Sequence, residues 1–331
     1  MSVQRSPKEV IEILQQRLRS AIVGRDDVID LMIVALLADG HVLLEDYPGS
    51  GKTTLAKALG HSLESSREHL SKDGATIETM RRVQFTPDLL PSDVTGTTIF
   101  DPEARQFEFR PGPVFSRILL ADEINRTSPK VQAALLEAMA EKQCTIDNQT
   151  YPLSALFFVI ATQNPLDLAG TFPLPTAQLD RFLFKIRMTH ISKKDELDLL
   201  LNFDQVKKGM NVDLPKITES EILNAREWIA SQVTVSKEIK QTLVNIADES
   251  RNHAVALQGL STRSLVLAMP ALQVHAFMQN RNYVAPSDIA DLAGHLFAHR
   301  LMLAAGGASA EEVVNACLKK PLEMLSRGLF K

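Results

Sequence analysis

An apolar strand, a glycine-rich turn and a helical pattern follow one another in this chain between His41 and Leu63. The turn ends in Gly51-Lys52-Thr53, which is the layout of a P-loop. In such a turn the backbone N–H groups surround phosphate oxygens, the lysine reaches the β- and γ-phosphates, and the threonine hydroxyl binds Mg²⁺. Asp46 stands where the pattern has its first glycine. The sequence therefore predicts a nucleotide-phosphate site with one departure from the usual turn.

Another apolar strand ends in two acidic residues, Asp122 and Glu123. Asp122, at the strand end, predicts a carboxylate that binds Mg²⁺ through water. Glu123 predicts a group that orients or deprotonates an attacking water. The alternative interpretation is a solvated turn. The phosphate-binding turn upstream favours the catalytic interpretation, because the two segments would lie on neighbouring strands.

Polar residues also flank two later strands. Asn164 follows the apolar run Leu156–Ala161, where its amide could hold the attacking water or touch the γ-phosphate. A plain turn is the alternative, because Asn-Pro favours turns. Arg181 follows Asp180 just before the last predicted strand. Arg181 either pairs with Asp180 or projects into a neighbouring subunit, and the sequence leaves both interpretations open.

Short apolar runs alternate with helical patterns in the first part of the chain. Such alternation predicts crossover connections and a mainly parallel sheet, which is an α/β fold. The predicted strands are His41–Glu45, Arg82–Phe85, Ile118–Ala121, Leu156–Ala161 and Phe182–Ile186.

The pattern becomes helical from about Thr189 onward. The sequence therefore predicts an α/β domain over residues 1–190 and an all-helical domain over residues 191–331. The predicted helices of the second domain are Asp195–Val206, Glu219–Gln232, Lys237–Asn252, Thr262–Gln279, Pro286–Leu301 and Ala310–Arg327.

Two segments interrupt the alternation of the first domain, and both predict β-hairpins. Thr97–Phe100 and Gln106–Arg110 flank the first turn, whereas Lys142–Ile146 and Thr150–Leu153 flank the second. An irregular surface loop is the alternative for each. The polar stretch Glu64–Glu78 is predicted to be a solvated loop.

The composition excludes several other classes of protein. The chain has 331 residues, of which 45% are hydrophobic and 23% are charged, so it is neither collagen-like nor wholly disordered. A formal net charge of -4 and an aromatic share of 5% argue against specific binding of nucleic acid. Two cysteines fit the reducing cytoplasm, and every apolar run is far shorter than the roughly 20 residues of a membrane-spanning helix. We therefore expect a cytoplasmic protein with no membrane span.

Eight motifs together indicate a family. In chain order they are Ile22-Val23-Gly24, Pro48–Thr53, Phe85–Gly96, Gly112–Phe115, Leu120–Arg126, Ala161–Pro165, Leu179–Phe182 and Gly259–Ser264. With this set the chain resembles AAA+ ATPases of the MoxR family. The resemblance implies a P-loop NTPase core with a parallel sheet in the order 5-1-4-3-2, followed by a helical lid domain. It also implies that the two hairpins are the helix-2 insert and the pre-sensor-1 insert.

The resemblance implies a role for each residue of the core that matches a motif. Asp122 and Glu123 match Walker B, with Asp122 on the metal, and Asn164 matches the polar sensor-1 residue. Thr53 is implied as a second metal ligand, and ATP and Mg²⁺ are implied as cofactors. The implied nucleotide-binding residues of the core are Val23 and Gly24 against the adenine, and Pro48, Gly49, Ser50, Gly51, Lys52, Thr53 and Thr54 of Walker A.

Two arginines complete the implied site. Arg181 matches the arginine finger that acts on the γ-phosphate of a neighbouring subunit. Arg263 matches the sensor-2 arginine, which the lid domain places over the nucleotide of its own subunit.

The resemblance implies an ATPase that assembles into a ring, usually a hexamer. It remodels partner proteins or assists their metal loading, and the partner often carries a von Willebrand A domain. The alternatives are the ATPase subunit of a metal chelatase, a nucleotide-dependent binding module and a DNA motor. The presence of both Glu123 and Arg181 argues against a pure binding module, and the acidic isoelectric point of about 6.1 argues against a DNA motor.

Overall fold

A computed structural model of the chain describes residues 5–46, 50–65, 77–165, 170–202 and 214–328. Its contacts form two compact units. The first comprises Met1–Ile33, His41–Leu174 and Ile186–Leu223, and the second comprises Val34–Gly40, Pro175–Lys185 and Asn224–Lys331. The domain boundary between residues 190 and 191 stays a prediction, because compact contacts do not by themselves delimit domains of the chain.

Five strands form the central sheet, and their order confirms the one that was expected. The order is β2-β5-β8-β1-β9, which is 5-1-4-3-2 when only these five are numbered along the chain. β2 pairs with β5, β5 with β8, and β8 with β1, all in parallel. The expectation that the P-loop and the acidic pair follow neighbouring strands was wrong, because β8 lies between β1 and β5. The strands are β1 (Val42–Asp46), β2 (Glu78–Gln84), β5 (Ser116–Asp122), β8 (Phe158–Gln163) and β9 (Phe184–Met188).

The middle strands of the sheet have continuous apolar sequences because they are buried. All seven residues of β5 are buried, as are the first five of β8. A strand of a parallel sheet that is covered on both faces needs apolar side chains on both sides, so its sequence does not alternate. β2 lies at the edge of the sheet and is more exposed, which fits its polar composition.

Both predicted hairpins are present. β3 (Gly96–Asp101) pairs antiparallel with β4 (Gln106–Pro111), and β6 (Gln143–Ile146) pairs antiparallel with β7 (Gln149–Pro152). Asp147 and Asn148 turn the second hairpin with φ angles of 49° and 64°, which suits these residue types in a tight two-residue turn. The rings of Phe109 and Tyr151 stack at 4.1 Å, so the two hairpins touch.

Seven helices are described before residue 202. The predicted amphipathic helix at the amino terminus forms as α1, where Ser6 and Glu9 make a capping box and Val10, Ile11, Leu14 and Leu18 are buried. The seven are α1 (Pro7–Ala21), α2 (Asp26–Leu37), α3 (Lys52–Ser62), α4 (Pro91–Thr95), α5 (Pro129–Glu141), α6 (Thr176–Leu179) and α7 (Lys193–Leu201). The predicted helix Asp195–Val206 corresponds to α7, and its residues 203–206 lie outside the described part of the chain, as do residues 66–76 of the predicted loop.

The carboxyl-terminal part is mainly helical, as predicted. It contains α8 (Glu219–Gln232), α9 (Lys237–Arg251), α10 (Thr262–Met278), α11 (Pro286–Phe297) and α12 (Ala310–Ser326).

One prediction about this part needs correction, since it is not purely helical. Ala256–Gln258 (β10) pairs antiparallel with Met302–Leu303 (β11). Segments of two and three residues are too short to show a strand period in the sequence, so the pattern could not reveal them. Within the described ranges, no helix combines the length and the apolar character that crossing a bilayer requires.

Candidate functional site

The carboxyl ends of four parallel strands meet at one edge of the sheet in the first unit. The register pairs Gln84 with Asp122, and it pairs Ala121 with Ala161. It also pairs Glu45 with Gln163. Side chains just beyond these pairs therefore lie at the same level. This is the edge at which open α/β sheets bind ligands.

The turn that follows β1 leads directly into α3. Gly51 has a φ of 93°, a left-handed conformation that favours glycine, and it occupies the N-cap position. Lys52, Thr53 and Thr54 are the first three residues of the helix, where backbone N–H groups have no partner within the helix. Such a helix start suits a phosphate. Of the other predicted residues of this turn, Pro48 and Gly49 lie outside the described part of the chain.

Asp122 is the buried centre of the site, with a relative exposure of 4%. Its Oδ1 accepts a hydrogen bond of 2.7 Å from the Thr162 hydroxyl. Its Oδ2 accepts one of 2.7 Å from the Arg82 guanidinium. The Lys52 ammonium lies 3.9 Å from Oδ1, which is within ion-pair range but too long for a direct hydrogen bond. The structure thus brings the predicted phosphate-binding lysine and the predicted metal-binding carboxylate together.

Glu123 has an unusual backbone conformation. Its φ of 57° and ψ of 50° place it in the left-handed region, which costs a non-glycine residue of order 1–3 kcal/mol. Its backbone N–H donates a hydrogen bond of 2.8 Å to the Thr162 hydroxyl, the same group that donates to Asp122. One threonine on β8 therefore fixes both acidic residues and holds the strained turn between them.

The carboxylate of Glu123 is held from two sides. Its Oε2 accepts a hydrogen bond of 2.7 Å from the Gln84 amide and lies 3.0 Å from Nε of Arg126. The glutamate is therefore anchored at the strand edge with a restrained orientation.

Asn164 lies one residue beyond the end of β8 and is partly buried. The register of β1 and β8 ends with Glu45 opposite Gln163, so Asn164 lies just beyond the last pair. Its predicted role in holding water stays a prediction.

Val23 and Gly24 lie between α1 and α2. Gly24 has a φ of 70°, and a Cβ there would lie 2.8 Å from the Asp195 side chain at the start of α7, so only glycine fits. The next residue, Arg25, has a relative exposure of only 6%. Within the described residues its Nε has no hydrogen-bond partner. Burying an unsatisfied polar group is costly, so Arg25 is a group that a bound ligand could satisfy.

Arg181 and Arg263 both belong to the second unit. Arg181 follows α6 and is partly buried, and Arg263 is the second residue of α10 and is exposed. Asp180, which the sequence left as a possible partner of Arg181, forms an ion pair of 2.9 Å with Arg300. The predicted roles of the two arginines stay predictions.

Sequence reasoning missed four residues that contact the acidic pair: Arg82, Gln84, Arg126 and Thr162. Arg82 and Gln84 are two apart on β2, so they point to the same side of the sheet. That alternation was a visible signal in the sequence, although the register that sets them beside Asp122 and Glu123 was not. Thr162 lies in the motif Ala161–Pro165, but the sequence assigned it no role, because a threonine after an apolar run is typical of any strand.

Three family models match parts of this chain. The model "ATPase family associated with various cellular activities (AAA)" matches residues 41–184, and the AAA lid domain matches residues 248–317. The MoxR domain of the MoxR-vWA-beta-propeller ternary systems matches residues 8–70. The first match spans all the described residues around Asp122 and Glu123.

Related proteins match most of the chain. The protein YeaC of Bacillus subtilis is 43% identical over 288 residues, which is 87% of this chain and 85% of that protein. Chaperone MoxR1 of Mycobacterium tuberculosis is 34% identical, over 90% of this chain and 78% of that protein. A crystal structure of a candidate ATPase from Cytophaga hutchinsonii is 35% identical, has a TM-score of 0.82, and covers 95% of this chain and 94% of its own. With the motifs, the sheet order and these relatives in agreement, the chain belongs to the MoxR family of AAA+ ATPases.

Proposed function

We propose that this protein hydrolyses ATP in a ring of identical subunits and uses the hydrolysis to remodel partner proteins. The observation that carries the proposal is the cluster at the strand edge. There the Lys52 ammonium lies 3.9 Å from a buried carboxylate of Asp122, and Glu123 is fixed beside it. A lysine at a helix start, together with an aspartate and a restrained glutamate at a strand end, supplies groups that phosphoryl transfer to water uses.

Substrate binding is assigned to α3 and the turn before it. The N–H groups at the start of α3 and the Lys52 ammonium hold the β- and γ-phosphates of ATP. Thr53 and Asp122 hold Mg²⁺, because hydroxyl and carboxylate oxygens are the ligands that this hard ion prefers. The ion, when bound, neutralises charge on the phosphate oxygens.

Hydrolysis is assigned to Glu123, which orients the attacking water and accepts its proton. Gln84 and Arg126 both contact Oε2, so the proton goes to Oε1 unless these contacts break. Asn164 helps to hold the water. Thr162 keeps Glu123 next to Asp122, so that the general base and the metal ligand stay in register.

The ring is supported by the family and by the two arginines of the second unit. Arg181 acts on the nucleotide of the neighbouring subunit, and Arg263 acts on the nucleotide of its own subunit. An ATPase whose active site needs an arginine from the neighbouring subunit is active only when the subunits are assembled. A hexamer is the assembly we expect from the family.

The partner is a protein with a von Willebrand A domain. This proposal is supported by the match of residues 8–70 to the MoxR domain of MoxR-vWA-beta-propeller systems and by the relative named as a chaperone. The remodelling includes assistance with metal loading where the partner binds a metal. Both cysteines, Cys144 and Cys317, are buried and free, which suits the reducing cytoplasm in which we place the protein.

Turnover and subunit mixing test the ATPase and the ring together. The full chain should hydrolyse Mg-ATP, and Arg181→Ala should bind it normally but lose about 10³–10⁵ in rate. Lys52→Ala should bind it at least about 100-fold more weakly. Mixed rings of the two variants should recover activity, since some interfaces combine an intact Lys52 with an intact Arg181. No turnover in the unaltered chain would overturn the proposal and favour a binding module. No recovery after verified subunit exchange would contradict the trans arrangement.

The partner assignment has its own experiment. A full-length Glu123→Gln variant, loaded with Mg-ATP, serves as bait, and bound proteins are identified by mass spectrometry. A von Willebrand A protein that is retained with ATP and released with ADP is the expected result. Retention that does not depend on the nucleotide would contradict an ATP-driven remodelling cycle.

A further inference from the structure

A carboxylate beside Arg181 is held from two directions within the second unit. Asp180 immediately precedes Arg181, and its Oδ1 lies 2.9 Å from Nε of Arg300. Oδ1 also accepts a hydrogen bond of 3.2 Å from the Ser264 hydroxyl, and Oδ2 accepts one of 3.4 Å from the Ser261 hydroxyl. Asp180 is therefore anchored both to the short 3₁₀ turn Ala298–Arg300 and to the start of α10.

The residue after Arg181 is held by the same turn. The carbonyl oxygen of Phe182 accepts a hydrogen bond of 2.8 Å from Nη2 of Arg300, and it lies 3.1 Å from Nε2 of His299, which must donate because a carbonyl only accepts. The Arg300 side chain is almost completely buried, with 1% exposed. The Arg300 guanidinium thus contacts the chain on both sides of Arg181, at the Asp180 carboxylate and at the Phe182 carbonyl.

The other anchor of Asp180 carries the second functional arginine. Ser261 is the N-cap of α10, and Ser264 lies three residues further on, so the two hydroxyls that donate to Asp180 flank Arg263. Burial lowers the pKa of Arg300 to about 10, with the nearby charge of Arg263 acting in the same direction and Asp180 opposing both. The positive charge of Arg263 therefore acts on the Arg300 guanidinium.

We propose that Arg300 and Asp180 are positioning residues that fix Arg181 to the start of α10, so that the helix carrying Arg263 sets where Arg181 points. This inference rests on the proposed function, because it takes Arg181 to act on the nucleotide of a neighbouring subunit. The physical reason is geometric. A long arginine side chain acts on a phosphate only if its backbone is held, and a displacement of about 1 Å can cost on the order of 10² in rate.

A buried ion pair that is only structural would behave differently. Its loss would lower stability and leave the rate of the folded fraction unchanged. The chain offers a matched control in the pair Arg281–Asp288, which lies in the same unit, is buried at the aspartate and has an N···O distance of 2.6 Å. Arg281→Gln breaks that pair without altering Asp180, Arg300 or the two serines at the start of α10 that contact Asp180.

The test compares Arg300→Gln and Asp180→Asn with Arg281→Gln, all in the full chain, by Mg-ATP turnover, nucleotide affinity and thermal unfolding. Arg300→Gln and Asp180→Asn should lower kcat about 10–100-fold, with KM and affinity within about twofold of the unaltered chain. Arg281→Gln should unfold at a lower temperature with kcat almost unchanged. Asp180→Asn keeps the shape of the side chain, and it decides the question if Arg300→Gln does not fold.

Subunit mixing separates this inference from the function on which it rests. Rings that mix Arg300→Gln with Lys52→Ala should regain turnover, because Lys52→Ala subunits supply a correctly held Arg181. The double variant Arg181→Ala/Arg300→Gln should be no slower than Arg181→Ala alone, since both act through one group. Normal kcat in folded Arg300→Gln and Asp180→Asn, or no regain in mixed rings, would overturn the inference. High turnover in Arg181→Ala would instead overturn the trans finger of the proposed function.

Discussion

Two buried aspartates, one in each unit, have similar partners and different surroundings. Asp122 in the first unit and Asp288 in the second have relative exposures of 4% and 0%, and each accepts a hydrogen bond from an arginine. Asp288 accepts from Arg281 with both oxygens, from the backbone N–H of Ala285, and has His275 at 2.7 Å. Its carboxylate is saturated at short distances.

Asp122 is less completely enclosed by short contacts. Its nearest ammonium, that of Lys52, stands 3.9 Å away, and its neighbour Glu123 is held in a strained conformation at the end of a strand. A saturated carboxylate within a helical bundle stabilises the fold. A carboxylate at a strand edge, with a lysine beyond hydrogen-bond length, is placed to engage a ligand. Placement rather than residue type separates a structural ion pair from a functional one.

Among substitutions that bear on these two aspartates and their neighbours, the largest effect is expected from Glu123→Gln, which keeps the shape of the side chain and removes its ability to accept a proton. Hydrolysis should fall about 10²–10⁴-fold, while Mg-ATP binds as before. Turnover and calorimetric titration measure the two quantities. Glu103→Gln, which removes a similar charge from an exposed turn, is the control and should have little effect. A loss smaller than about tenfold would identify a different residue as the base.

A smaller effect is expected from Lys52→Ala, in this case on the free energy of Mg-ATP binding. It removes charge-assisted hydrogen bonds to phosphate, so Mg-ATP affinity should fall at least about 100-fold, or roughly 3 kcal/mol. Calorimetry measures the affinity, and circular dichroism checks the fold. Lys57→Ala, at an exposed position of the same helix, is the matched control. Equal affinities for the two variants would remove Lys52 from the site.

The contribution of Asp288 to stability should depend on pH. Burial acts to raise the pKa of Asp288, but hydrogen bonds from His275, Arg281 and the Ala285 backbone outweigh it and lower the pKa to about 2. A depressed pKa contributes stability above the unfolded value near 4, and this stability is lost as the pH falls toward 2. The contribution is about 2 kcal/mol.

Asp288→Asn should therefore unfold several degrees lower at pH 7 and lose part of its dependence on pH between 5 and about 3. Thermal unfolding over this range measures both changes. Asp291→Asn, on the exposed side of the same helix, should change neither by much. If Asp288→Asn and the unaltered chain lose stability in parallel on acidification, Asp288 is not the group responsible.

The smallest effect is expected from Gln84→Ala. It removes the hydrogen bond of 2.7 Å to Glu123, worth about 1 kcal/mol, so the Glu123 carboxylate is freer to reach the attacking water. Basal turnover should rise several-fold, with nucleotide affinity unchanged. Gln143→Ala, on an exposed hairpin strand, is the control for the loss of a glutamine. A fall in turnover would mean that Gln84 instead holds Glu123 in its active orientation.

Much of the fold was predictable from the sequence because local signals carry it. Continuous apolar runs marked the buried strands, the Asp147-Asn148-Gln149 turn marked a hairpin, and glycine followed by Lys52 marked the start of α3. The strands β10 and β11 were missed because they are too short for any periodicity to appear. The positions of Lys52, Asp122 and Glu123 were predictable because each stands at a strand end or a helix start.

The sequence by itself determined which residue types stand at these local positions, and so the strand–turn–helix layout and the acidic pair after β5. Only the tertiary structure decided what holds them. Gln84 and Thr162 reach the acidic pair through the register of β2, β5 and β8, and Asp180 pairs with Arg300, which lies far away in the chain. Helix and turn signals act over a few residues, whereas side-chain pairing depends on the register of strands and the packing of helices, and no local pattern encodes these.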